Sequence, residues 1–190
     1  MKRAVVAVDL AAKYSATVRL DSEGAVQSQW DSLGVPRYEV ARRIYGEYTT
    51  ALAQEMNDHR PLVVVEDVPP RNLPGLRPVL QLQGRILQEF APAANDVLFF
   101  VVPAEWQQSM GVYRVNTEVA EEVAIGYGYV PPDLLAQRVL EVGTRGQAAA
   151  IREAVKQRTD YVSAFLMARW AWECVAHDRK WHVSRVRQYE

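Results

Sequence analysis

Carboxylates stand at three places where a charge is hard to accommodate. Asp9 closes the apolar run that begins at Ala4 (AVVAVDL), and Glu66 and Asp67 close a second run, Leu62 to Asp67 (LVVVED). Asp160 opens a strongly apolar stretch, DYVSAFLMARWAW, which reads as a helix. An ionised carboxylate taken out of water without a partner is costly or takes up a proton, so an acid ending a core strand needs a cation or hydrogen bonds. Taken singly, such an acid is ordinarily a helix cap or a salt-bridge partner. Brought together, three carboxylates repel one another unless they are protonated or bridged, and hard Mg²⁺ or Mn²⁺ is the natural bridge. Two such ions roughly 3.5 to 4 Å apart activate a water and stabilise the leaving oxygen of a phosphodiester, which is hydrolytic nuclease chemistry.

The elements around these acids follow from periodicity. Val5 to Val8 shows no alternation, as expected of a central strand covered on both faces. Ala16 to Asp21 (ATVRLD) alternates Thr17 and Arg19 with Val18 and Leu20, the pattern of a half-buried strand, and Ala25 to Trp30 alternates again. The chain therefore opens as a three-stranded antiparallel meander. Pro36 sits at a first-turn position, and Val40, Ile44, Tyr48, Leu52 and Met56 recur every four residues through Asp58. This predicts an amphipathic helix with Arg42, Arg43 and Glu47 on its wetter side. A strand over Leu62 to Val68 comes next, and a helix between two strands of one sheet implies a parallel pairing with a right-handed crossover.

Pro69, Pro70 and Pro74 make a stiff loop before a second helix, Leu76 to Phe90, with Val79, Leu80, Leu87 and Phe90 inward. Val97 to Val102 is a fifth strand. Short helices are expected near Glu105 to Met110, Thr117 to Ala124 and Asp133 to Glu141, and a long one over Gln147 to His177 with a break near Gln157 to Thr159. Ligands gather beyond the carboxyl ends of parallel strands, where Asp9 and Glu66 would be neighbours. Glu66 and Asp67 must point to opposite faces, so only one of them can meet Asp9. Asp160, Ala164, Ala168 and Ala171 share a helical stripe, and its small residues let the helix approach the sheet closely.

Bulk properties narrow the class. The 190 residues, 49% hydrophobic and 24% charged, suit one globular domain over 1–177 followed by a basic tail, 178–190, with Arg179, Lys180, Arg185 and Arg187. A net charge of -1 argues against coating a polyanion by global charge, so a nucleic acid must be met by a local patch. Candidate members are Lys13, Arg71, Arg77, Arg114, Lys156 and Arg158, all placed near the acids in sequence or in the uncertain segment after the fifth strand. Cys174 is the only cysteine, which excludes an internal disulfide, and with His177 and His182 it makes too irregular a set for zinc. The apolar run after the basic start MKR meets Asp9 too early for a signal peptide, and no apolar stretch approaches ~20 residues. A cytoplasmic protein without a membrane span is expected. There is no GxxxxGK[ST] phosphate loop and no sign of a nucleotide cofactor.

The ordered blocks AVVAVDLAAKYSATVRLDSEG, LVVVEDVPP, GRILQEF with VLFFVVPAEWQQSMGV, and TDYVSAFLMARWAW resemble the RuvC-type Holliday junction resolvases of the RNase H-like superfamily, in a phage-borne branch. They span about half of the chain. The resemblance implies an α/β, RNase H-like fold: a mixed five-stranded sheet, an antiparallel meander plus two parallel strands, flanked by helices. It implies that Asp9, Glu66 and Asp160 are catalytic, metal-binding acids, with Glu66 preferred over Asp67, and that two Mg²⁺ or Mn²⁺ ions bind per site. It further implies a homodimer nicking symmetric strands of a four-way DNA junction, in the host cytoplasm for a phage protein. Two departures stand out. Where the family commonly carries an acid or a histidine three residues before its last aspartate, this chain has Gln157, leaving Gln157 or Glu153 as the further metal ligand. Where the family has an aromatic soon after the second acid, this chain has Pro69 and Pro70, with Trp106 or Tyr113 left to stack on bases. The rival readings are an RNA-processing nuclease of the YqgF type and a non-catalytic nucleic-acid-binding protein on the same scaffold.

Overall fold

A computed structural model describes residues 2–11, 14–54, 59–67, 74–91, 97–132 and 147–177; at 74, 147–150, 152 and 153 it describes the backbone alone. Five strands form one mixed sheet: β1 (Val5–Asp9), β2 (Ala16–Leu20), β3 (Val26–Asp31), β4 (Leu62–Glu66) and β5 (Leu98–Val101). The spatial order is β3-β2-β1-β4-β5, with β1–β2 and β2–β3 antiparallel and β1–β4 and β4–β5 parallel. Helix α1 (Arg37–Gln54) makes the first crossover, and α2 (Arg77–Phe90), entered through a 3₁₀ turn at Pro74–Leu76, makes the second. After β5 come α3 (Pro103–Ser109), α4 (Thr117–Gly126) and α5 (Gln147–Ala176). The helix expected over 133–141 and the tail 178–190 lie outside the described residues.

The sheet divides two cores by the parity of its strands. Val6, Val8, Val63 and Val65 face Val40, Ala41, Ile44 and Tyr48 of α1 and Val79, Leu82, Ile86 and Phe90 of α2. Val5, Ala7, Val18, Leu20, Leu62 and Val64 face Val162, Phe165, Leu166 and their neighbours on α5. Central β1 is buried throughout, which is why it carries no alternation. On α2 the buried face is Val79, Leu82, Gln83, Ile86 and Phe90, whereas Leu80, expected inward, is exposed; a helix approaching the sheet edge from one side buries a narrower stripe than its apolar content suggests. Leu52 on α1 is likewise exposed.

Strand β2 is not half-buried as its alternation suggests; all five residues are buried, because α1 covers the second face. The charge on that face is compensated. Arg19 donates from Nε to Glu47 Oε2 at 2.8 Å and from Nη1 to Gln54 Oε1 at 2.6 Å, while Ser28 Oγ and Trp30 Nε1 also donate to the Glu47 carboxylate. Glu47, expected on the wetter side of α1, is therefore the hub that lets an arginine sit inside the fold. Removing one partner strands the other charge out of water. Glu47→Ala is expected to lower stability by about 3 kcal/mol in urea denaturation; a change close to zero would mean that water reaches Arg19.

Helix α5 spans 30 residues without the break expected near Gln157 to Thr159. Thr159 is accommodated because its hydroxyl donates to the Val155 carbonyl at 3.2 Å inside the helix, and Gln157 is held from outside by β3. Ala164, Ala168 and Ala171 are fully buried where α5 crosses β1 and β2, so the small stripe sets the close approach of helix to sheet. The β2–β3 turn is tied to the far end of α5. Trp172 Nε1 donates to the Ser22 carbonyl at 3.1 Å, and at Gly24 (φ +83°) a Cβ would come within 2.9 Å of Arg169 Nη1.

Candidate active site

The ends of β1 and β4 bring two acids together by register alone. Val8 pairs with Val65 in the parallel ladder, so the next step sets Asp9 beside Glu66. Residues two apart share a face, so Asp9 follows Val5 and Ala7 toward α5, and Glu66 follows Leu62 and Val64 to the same side. Asp67 falls on the opposite face, its N–H donating to the Val101 carbonyl at 2.7 Å. Asp9 is only 8% exposed. Its carboxyl group is hydrogen-bonded to that of Glu66 and accepts a hydrogen bond from the Ser163 hydroxyl on α5. Asp160, three residues before Ser163, stands one turn away on the same helix and feels the charge of Asp9, while Glu66 feels that of Asp160.

Electrostatics of the three acids follow from burial and mutual repulsion. Burial, then the neighbouring Glu66 charge, holds Asp9 well above the usual carboxylate range, with the Ser163 hydrogen bond opposing. Burial pushes Glu66 up to about 7, with the Asp160 charge adding to the effect and the hydrogen bond with Asp9 opposing it. Burial likewise pushes Asp160 up to about 7; Asp9 and Asp31 raise it further and Lys156 works against them. Both carboxyl groups are shifted toward the protonated form, so the pair favours holding a proton where no cation neutralises it.

That arrangement suits a hard divalent cation. The donors are all oxygen, the acids are largely withdrawn from water, and Asp160 keeps a buried oxygen, Oδ2, with no hydrogen-bond partner. Among the described residues no three Asp, Glu, His or Cys side chains are arranged to hold an ion as they stand. The acids are grouped by the elements that carry them.

The other residues singled out by sequence are distributed as follows. Gln157 is 1% exposed and donates from Nε2 to Asp31 Oδ2 at 3.1 Å. The Glu153 side chain, Lys13 and Arg71 lie outside the described residues. Arg77 is exposed at the start of α2. Arg114 is exposed, in the left-handed backbone region (φ 60°), with its guanidinium 5.0 Å from the centre of the Tyr113 ring. Lys156 is exposed, 5.6 Å above the Tyr14 ring, and is the cation whose field reaches Asp160. Arg158 makes a bidentate pair with the buried Glu121 of α4, so its guanidinium fastens α4 to α5. Trp106 is 2% exposed inside the α5-side core and cannot meet a base, whereas Tyr113 is 38% exposed.

Three residues went unnoticed in the sequence. Asp31 ends its strand as Asp9 and Glu66 do, but a strand read as closing at Trp30 hides it. Ser163 was legible as the position one turn after Asp160. Nothing in the local sequence distinguishes Glu121 from a solvated helix acid.

The fold has counterparts of known structure. No protein-family model and no curated protein sequence matches the chain. Among solved structures it is similar to Thermus thermophilus RuvC, with 14% identity, a TM-score of 0.53, and 92% of this chain and 96% of that one covered. It is similar also to T. thermophilus RuvC in complex with a Holliday junction substrate, with 14% identity, a TM-score of 0.50, and coverage of 93% and 97%. The likeness extends over nearly the whole of both chains and shows a RuvC-like, RNase H-like fold.

Proposed function

We propose that this chain, built on the fold of the RuvC resolvases, is a divalent-metal-dependent endonuclease that nicks four-way or branched DNA junctions. The observation that carries this reading is the hydrogen-bonded Asp9–Glu66 pair at the ends of two parallel strands, with Asp160 presented to it from α5. Acids buried together at such a place destabilise the fold unless something binds them, and a functional ligand is the reason to keep them. Bound Mg²⁺ or Mn²⁺, two ions per site, would supply an activated water and stabilise the leaving oxygen of the phosphodiester.

The chain's own residues then divide the work. Asp9 and Glu66 would hold the cations through their oxygens once deprotonated, Asp160 would complete the set from the helix, and Ser163 would keep the Asp9 carboxylate turned by its hydrogen bond. Lys156 beside Asp160, with Arg77 and Arg114 further out, supplies positive charge for the DNA backbone on a chain with no net positive charge of its own. Lys13 and Arg71 flank the same acids in sequence. A homodimer, presenting two sites to a two-fold substrate, accounts for paired nicks; the RuvC structure solved with a Holliday junction substrate supports the choice of a branched DNA.

A second reading, a nucleic-acid-binding protein that does not cut, draws on Gln157 and on acids that hold no ready-made cation site. Synthetic four-way junction, linear duplex and RNA, each incubated with Mg²⁺ or Mn²⁺, separate the two. Symmetric nicks confined to the junction are expected. Junction binding without cleavage in either metal would favour the second reading, and cleavage of RNA alone would favour an RNA-processing nuclease.

A further inference from the structure

Asp31 ends β3 as Asp9 ends β1, and the ladder joins them. Asp9 pairs with Ala16 and Ala16 with Asp31, so the two carboxylates lie in one row across the sheet, facing α5, with only a methyl group between them. Asp31 is bound quite differently from Asp9. Its Oδ1 accepts the Leu33 N–H at 2.8 Å, and its Oδ2 accepts Gln157 Nε2 at 3.1 Å and the Tyr161 hydroxyl at 3.3 Å. Gln157 and Tyr161 are one turn apart on α5 with Asp160 between them in sequence, and Gln157 and Asp160 share a helical face.

The orientation of the Gln157 amide is dictated by that contact. Gln157 Nε2 donates to Asp31 Oδ2, so the NH₂ faces Asp31 and the carbonyl oxygen Oε1 lies at the other end of the planar group. Oε1 is buried, in a side chain that is itself almost wholly buried, and no donor meets it. A buried acceptor left unsatisfied costs about 1–3 kcal/mol, so the position calls for a donor or a cation. Asp160, one turn along, holds an oxygen in the same condition.

We infer that Asp31 is a positioning residue of the candidate metal site: it anchors the Gln157 amide by its nitrogen, so that the amide oxygen is offered beside Asp160 as a neutral ligand. The inference rests on the metal-dependent reading above. Its logic is that of a carboxylate that orients a metal-bound imidazole through the ring's other nitrogen. Without Asp31 the amide can turn over, and its NH₂ would then face the cation and repel it.

Mn²⁺ titration of the full chain without DNA, followed by the electron paramagnetic resonance signal of free Mn²⁺, tests this apart from cleavage. Asp31→Asn, close to isosteric, lets the amide take either orientation and is expected to weaken Mn²⁺ binding about 10-fold or more, with a cooperative melting transition retained. Combining it with Gln157→Glu, which presents an oxygen whichever way it turns, is expected to recover most of the loss. Gln157→Met, which keeps the bulk and removes both amide ends, should weaken binding as Asp31→Asn does. Wild-type affinity in either single variant overturns the inference, as does a folded double variant whose binding is not restored. If the wild type itself binds no Mn²⁺, the metal-dependent reading has failed and takes this one with it.

Discussion

Glu66→Gln is expected to abolish junction cleavage while making the metal-free protein more stable at alkaline pH. The loss of activity should be on the order of 10³-fold, the scale on which a charge-stabilising group counts in a preorganised site. Junction binding should persist, because the basic residues are untouched. The gain in stability has a separate cause. Glu66 is pushed up to about 7 mainly by burial, so its carboxylate form is disfavoured in the folded state. An amide of the same shape removes that penalty. Urea denaturation in the presence of a chelator should show equal stability for the two proteins near pH 5, where the carboxyl group is protonated anyway, and an advantage of about 2 kcal/mol for the variant near pH 8. Full cleavage by Glu66→Gln would remove this acid from the chemistry. A variant less stable than wild type at pH 8 would mean that the carboxylate is structurally required.

The second large effect couples metal to pH. Burial pushes Glu66 and Asp160 up to about 7 in the folded chain and raises Asp9 well above the usual carboxylate range, against ordinary carboxylate values in the unfolded one. Groups whose folded-state value is raised contribute stability that is fully present below the unfolded value. They lose it as pH rises through the folded value, because the folded state then gives up protons that it held more tightly. For Glu66 alone the loss is on the order of 3 kcal/mol. Melting of the metal-free protein should therefore fall between pH 5 and pH 8. Cations compete with those protons for the same oxygens. Millimolar Mg²⁺ or Mn²⁺ should raise the melting temperature strongly at pH 8 and weakly at pH 5, and metal binding should release protons into the buffer near neutrality. Saturation at about 100 times Kd is worth about 2.7 kcal/mol, close to the loss at Glu66 alone. A melting shift of equal size at both pH values would show that the cations bind somewhere other than these acids.

Both expectations depend on burial of the same carboxylates, and the sequence carries much of that arrangement. Val5 to Val8 and Leu62 to Val65 are apolar without alternation, so their strands had to be central, and an acid at each carboxyl end had to lie at a sheet edge where parallel neighbours meet. The period-two rule separates Glu66 from Asp67, and the alanine stripe on α5 turns Asp160 toward the sheet. Where local reading failed, a second layer had intervened. Thr17 and Arg19 looked solvent-facing because alternation records polarity, and only the packing of α1 with its Glu47 made that face an interior. Trp106 is a stacking candidate only as a substitute for the aromatic that Pro69 and Pro70 replace, and α3 turns it into the core. The break expected in α5 followed from intrinsic propensity around Gln157 to Thr159, which the contacts with β3 and the body of the helix override.

By itself, then, the order of residues set out the candidate site: carboxylates ending apolar strands, in a chain whose charge balance argues against indiscriminate binding of polyanions. Those properties are short-range, set by side-chain type and by the two periodicities of strand and helix. Tertiary structure alone decided which acids are buried against one another, which arginine is spent on Glu121, and which end of the Gln157 amide is free. Each of these depends on contacts between residues far apart in the chain. Their energies come from burial and hydrogen-bond geometry, which do not exist until β3, β1, β4 and α5 have packed.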